Sequence, residues 1–198
     1  MRNFATLLII AGLIFIGFGG YQLIQTEQAQ SKSLEEARTL LASKKNANKQ
    51  NNDDPIPPEE FLPDHGETVG LLHIPRLEAE LPIVEGTNED DLEKGVGHYA
   101  GTAYPFQNDQ IVLSGHRDTV FRRMGELEIG DLLTVEVEYG ERTYEIVDTK
   151  IVDADDRTII VPTAPDEVLT VTTCYPFSFI GNAPDRYIIT ALPVDETE

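Results

Sequence analysis

The chain has 198 residues, with 15 Lys+Arg against 35 Asp+Glu, for a formal net charge of −20. That length suits one ordinary domain with appendages, and 40% apolar with 25% charged residues is a globular composition. The charge excludes a general nucleic-acid surface, since phosphates would be repelled. A single cysteine excludes an internal disulfide framework and a zinc site built on several thiolates.

The acidity is uneven. Residues 1–60 hold six basic and seven acidic side chains, whereas residues 61–198 hold nine and 28. The charge therefore belongs to the second part, which reads as the folded domain. The first part opens on an apolar run, Phe4 to Ile24, with no charged residue between Asn3 and Thr26. About 20 helical residues span a bilayer core, so residues 1–26 are expected to form a transmembrane anchor. A signal peptide cut after Gly19 is the alternative. Basic residues follow the span rather than precede it, so positive-inside counting does not favour an inside N-terminus. The large acidic domain argues for N-terminus in and domain out, because long domains translocate largely regardless of charge. Residues 27–60 read as a stalk: SLEEARTLLASKK can extend the anchor helix, and NANKQNNDDPIPPEE has no apolar face to bury.

From residue 61 the pattern is strand-like. Thr68–Ile74, Leu81–Val84, Ile111–Leu113, Leu132–Tyr139, Thr143–Val152, Val168–Thr173 and Tyr187–Leu192 are β-rich runs bounded by turn residues. The spacing predicts an antiparallel hairpin turning at Gly140-Glu141-Arg142. Short helices are expected at Glu89–Lys94 and Thr119–Met124, each stopped by a glycine. The fold class is mainly β, an eight-stranded closed or nearly closed barrel with short helices behind an N-terminal transmembrane helix.

The single cysteine, Cys174, follows the β-branched run Val168–Thr173, and Pro176 stops the strand soon after. It therefore sits at a strand end, either as an inert small hydrophobe or as a nucleophile. A nucleophilic thiol needs a base or ion-pair partner. His65 lies at the linker edge and His73 inside a strand. His98 reads as a loop residue in GVGHYAGT. His116 stands at a strand end after Gly115, the same kind of position as Cys174, and is the preferred partner. Arg186, at the entry to the last strand, would return to the Cys174 rim if the two strands pair antiparallel. It could there stabilise an oxyanion, or else form a salt bridge with Asp185. The acidic runs Glu89-Asp90-Asp91 and Asp153-Asp155-Asp156 carry oxygen ligands suited to Ca²⁺, but neither matches an EF-hand loop.

Thr170-Val171-Thr172-Thr173-Cys174 resembles the sortase signature T-L-x-T-C, with valine in place of leucine. Ser114-Gly115-His116 upstream and Arg186 downstream stand where that family carries its histidine and arginine. The stretches LLHIPRLEAELPIVEGT, GVGHYAGTAYP, GHRDTVFRRMGEL and TTCYPFSFIGNAPDRYIITA are most similar to class D sortases of Gram-positive bacteria, over about Val69 to Ala191. The resemblance implies a thiol transpeptidase with a sortase-like catalytic domain at 61–198. Cys174 would cleave an LPxT-type sorting signal after Thr through a thioester. His116 would act as acid and base, and Arg186 would hold substrate and oxyanion. Val171, Thr172 and Thr173, with the Asp153–Asp166 loop, would wall the groove. The implied partners are LPxT-bearing surface proteins, an amine of the cell-wall precursor and the membrane. The implied location is the cell membrane, single-pass, with the catalytic domain extracytoplasmic. No cofactor is expected; calcium stimulation is the one such effect the resemblance allows. A cysteine protease using water, or a non-catalytic binding module, are the rival readings.

Overall fold

The computed structural model describes residues 2–51, 57–179 and 181–194. One helix, α1 (Arg2–Asn51), opens the chain. Phe4, Leu7, Ile9, Ile10, Leu13 and Phe15 are among the apolar side chains that project outward, and α1 is long and apolar enough to cross a membrane. From Thr26 the inward residues recur at helical spacing: Thr26, Gln30, Ser33, Ala37, Leu41 and Lys44 are all buried or half-buried. This stripe docks on the barrel. Ala37 and Leu41 pack on Leu71, the Ser33 and Thr68 hydroxyls meet at 3.0 Å, and Arg38 grips Glu80 through two bonds of 2.9 and 2.8 Å. The helical extension expected of SLEEARTLLASKK is thus present, and it is attached rather than free. NANKQN is also helical, because Asn, Lys and Gln lack an apolar face but do not break a helix. Residues 52–56, the centre of the expected extended segment, lie outside the described residues.

Eight strands close into a barrel: β1 (Thr68–Ile74), β2 (Ala79–Glu85), β3 (Val96–His98), β4 (Gln110–Gly115), β5 (Leu132–Val137), β6 (Gly140–Asp153), β7 (Val168–Tyr175) and β8 (Asp185–Pro193). Around the wall the order is β1-β2-β3-β4-β7-β8-β6-β5. Pairings are antiparallel except β2/β3 and β4/β7. Alternating residues such as Leu72, Ile83, Leu113, Leu133, Ile146 and Leu169 fill the interior, each contributing about 1.5–3 kcal/mol through burial. A short helix α2 (Glu89–Lys94) separates β2 from β3 and starts on a capping box between Asn88 and Asp91.

Two expected details differ. The β5–β6 hairpin turns at Glu138-Tyr139, and Gly140 already pairs with Val137. Tyr139 is drawn inward, its ring against Phe61 and its hydroxyl donating to the Pro105 carbonyl at 3.0 Å. Residues 117–123 form turns rather than a helix, followed by a 3-10 turn at Met124–Glu126.

Candidate active site

Three strand ends meet at one rim. β4 and β7 run parallel, with Gly115 level with Thr173. β7 and β8 run antiparallel, with Cys174 directly opposite Arg186. Directly opposed residues project from the same face with Cβ atoms about 5 Å apart. Cys174 is free and half-buried. Leu169 and Val171 point into the barrel, whereas Thr172 and Cys174 alternate outward.

His116 leaves β4 immediately after Gly115. The loop then folds back, with the Phe121 and Thr119 amides donating to the His116 carbonyl at 3.0 and 3.4 Å. Gly115 must lack a side chain here: a Cβ would lie 2.5 Å from the buried Phe121 ring. The Thr173 hydroxyl donates to the Gly115 carbonyl at 2.7 Å and ties the His116 strand to the Cys174 strand.

His116, Cys174 and Arg186 line one cleft of about 320 Å³. Its floor is the outer face of β4 and β7. Thr87, Leu92 and Tyr99 form one wall, and Asp156, Arg157, Ile159 and Ile160 of the β6–β7 loop form the other. Gln110, the first residue of β4, and Asp109 just before it staple that second wall. Gln110 donates to the Ile159 carbonyl at 2.7 Å and accepts from the Val161 amide at 2.9 Å. The Asp109 carboxylate accepts from the Thr163 and Ala164 amides at 2.6 and 3.1 Å. Donation first from Thr163 and then from Gln110 holds the Asp109 carboxyl below its usual range.

Among the described residues, neither His116 nor Arg186 has a carboxylate partner. Arg186 spends one nitrogen on the Ala183 and Asp185 carbonyls, at 3.4 and 3.0 Å. The expected alternative, a salt bridge to Asp185, does not form. Among the described residues its remaining N–H groups have no protein acceptor, and they suit an anionic oxygen.

The three expected groove residues of β7 stand differently toward the cleft. Val171 is wholly buried in the core and does not line the cleft, because the strand alternation turns it inward. Thr173 touches the cleft but is 3% exposed, with its hydroxyl committed to Gly115. Thr172 is the threonine open to a ligand.

His98 is not a loop residue. It belongs to β3, is 1% exposed and lies away from the cleft. Its ring meets Glu85 at 2.6 Å and the Ala103 carbonyl at 2.9 Å, and stacks on Tyr104, whose hydroxyl also donates to Glu85 at 2.6 Å. Burial alone would push the Glu85 carboxyl up; the His98 and Tyr104 bonds outweigh it and hold it below the usual range. His65 lies 3.3 Å from Asp91, and His73 lies 3.0 Å from Glu136. Of the acidic runs, Asp91 serves the α2 cap and Asp156 accepts from Thr158. Among the described residues no group of three His, Cys, Asp or Glu side chains is placed to hold a metal ion.

The sortase-domain family model matches residues 72–194. This chain belongs to the sortase family. Within that family it is a class D sortase: it is 55% identical over 186 residues to Sortase D of Bacillus subtilis, covering 92% of this chain and 93% of that one. It is 29% identical to Sortase SrtE1 of Streptomyces coelicolor, covering 88% of this chain and 53% of that one. Among solved structures, a Clostridium perfringens Sortase D5 transpeptidase superposes with a TM-score of 0.68 at 24% identity, over 84% of this sortase and 99% of that chain. C. perfringens sortase C, solved with the C-terminal cell wall sorting motif, gives a TM-score of 0.62 at 23% identity, over 85% and 89%. The closed barrel is therefore the sortase fold, in a chain from a family of cysteine transpeptidases.

Proposed function

We propose that this sortase cleaves an LPxT-type sorting signal after Thr and transfers the portion that ends in that Thr, through its carbonyl, to an amine of the cell-wall precursor. The observation that carries the reading is the convergence of Cys174, His116 and Arg186 on one cleft. The Cys174 thiolate attacks the Thr carbonyl carbon, and negative charge gathers on its oxygen. Arg186 stabilises that oxygen with the N–H groups it does not spend on Ala183 and Asp185. As the C–N bond breaks, His116 gives a proton to the leaving amine, and a thioester remains. The incoming amine then gives a proton to His116 and expels the thiolate. Thr172 and the wall formed by Ile159 and Ile160 hold the extended peptide. The sorting motif carried by the C. perfringens neighbour agrees with this substrate class.

In this reading α1 anchors the enzyme in the cell membrane, single-pass, with the barrel extracytoplasmic, where both substrates are met; its length and apolar composition support the anchor. The catalytic cycle uses no cofactor and no nucleic acid. Calcium stimulation is tested by adding EDTA and then Ca²⁺ to the turnover assay. The reading as a whole is tested by supplying an LPxTG or LPxTA peptide with and without an amine. Ligated product in the presence of the amine supports it. Hydrolysis alone under all conditions points to a protease, and no cleavage of any LPxT peptide overturns it. Arg186→Ala should abolish turnover with unchanged circular dichroism, and near-normal turnover would sink the oxyanion role.

A further inference from the structure

The apolar run of α1 ends at Ile24, and the barrel begins immediately beside it. Leu23, Thr26, Glu27 and Gln30 share one crevice of about 330 Å³ with Leu77, Ala79 and the segment Thr119–Arg123. Thr119 is three residues past His116. At about 1.5 Å per residue, Gln30 lies only about 9 Å along the helix from Ile24. The polar headgroup layer on each side of a bilayer core is about 5–8 Å deep. The crevice therefore lies at headgroup height if α1 spans the membrane, the reading on which this inference rests.

The chemistry of the crevice fits such a ligand. Two of its polar atoms, Gln30 Nε2 and Thr119 Oγ1, are buried without a hydrogen-bond partner, an arrangement that ordinarily signals a missing partner. Arg122 stands at its mouth, exposed. Its Nε and Nη2 donate to the Asp118 carbonyl, and among the described residues no carboxylate neutralises it. The neighbouring cations differ: Arg123 is paired with Glu126, and Arg76 with Glu128 and Asp131. Two of the nine basic residues of 61–198, Arg122 and Arg123, line this crevice of a strongly acidic domain. Glu27 is the one carboxylate among the crevice-lining residues.

We propose that the crevice between α1 and the loop after His116 seats a phospholipid headgroup of the membrane that α1 crosses. Its phosphate would meet Arg122, Gln30 and Thr119. The loop that positions His116 is then lipid-contacting.

The test uses the full chain in vesicles of mixed phosphatidylglycerol and phosphatidylethanolamine, with a nitroxide quencher borne on lipid headgroups. In a Cys174→Ala background, a fluorophore is attached at Asp118→Cys or at Glu141→Cys. Glu141 lies beside Leu41, about 26 Å further along α1 than Ile24. Strong quenching at 118 with little at 141 is expected, and Arg122→Glu should reduce the quenching at 118. Equal quenching at both sites, or quenching at 118 that Arg122→Glu leaves unchanged, overturns the headgroup seat. Failure of the protein to co-float with vesicles overturns the membrane span beneath it. The two failures are thus separable.

Discussion

A methyl group added at Gly115 should cost both catalysis and stability. The Cβ of Gly115→Ala would lie 2.5 Å from Phe121 Cδ2 and 2.8 Å from Val120 Cγ2. Ordinary carbon contacts are about 3.5–4.0 Å, so about 1 Å must be absorbed. The Phe121 ring is fully buried and cannot swing into solvent. Overpacking of this kind costs about 1–3 kcal/mol. The adjacent groups that can yield are the backbone of His116 and its loop. A displacement of about 1 Å in a catalytic group costs about a hundredfold in rate. Urea denaturation should therefore show a modest loss, and kcat/KM on an LPxT peptide a fall near a hundredfold. Phe121→Leu in the same chain should restore part of both, since the two sites share one contact. Wild-type stability and turnover in Gly115→Ala would refute the placement of His116 by this packing.

Three further outcomes follow from the site and its supports. Gln110→Ala strands the Ile159 carbonyl and the Val161 amide, so KM for peptide should rise while kcat changes little; a pure kcat effect in steady-state kinetics would contradict that role for the wall. Glu85→Leu removes both partners' shared acceptor and leaves His98 and Tyr104 buried without it, at a cost of about 3–5 kcal/mol, read as a large drop in the urea midpoint; a midpoint within error of wild type would show the cluster to be dispensable. The depressed Asp109 carboxyl contributes stability above its ordinary value of 3.8 that is lost as pH falls through its lower folded value. Asp109→Asn should accordingly flatten the acid limb of the stability profile, and an unchanged acid limb would count against it.

The strand that ends in Cys174 was legible because a β-branched run before a proline has few other solutions; its antiparallel pairing with the Arg186 strand entered only as a condition, which the register meets. The placement of His116 was legible for the same reason, a strand end followed by glycine. What the local pattern did not carry is what distant residues decide. His98 reads as a loop residue until Glu85, thirteen positions earlier, supplies a buried acceptor. The β5–β6 turn shifts to Glu138-Tyr139 because Phe61 and Pro105 hold Tyr139 inward. Val171 belongs to the family signature, yet its place in the strand alternation turns it into the core. The opposite cleft wall of Thr87, Leu92 and Tyr99 had no local signal, since α2 presents it only once β2 and β3 have paired. The helical extension of α1 was legible, but the face by which it docks and its barrel partners were not.

The central claim is that Cys174 forms the acyl bond. Intact-mass analysis of the full chain with an LPxT peptide, trapped before amine is added, tests it most directly. The account predicts an adduct equal to the peptide portion through Thr, mapped to Cys174 and absent in Cys174→Ala. Cleavage that persists in Cys174→Ala, or an adduct mapped to another residue, would contradict it.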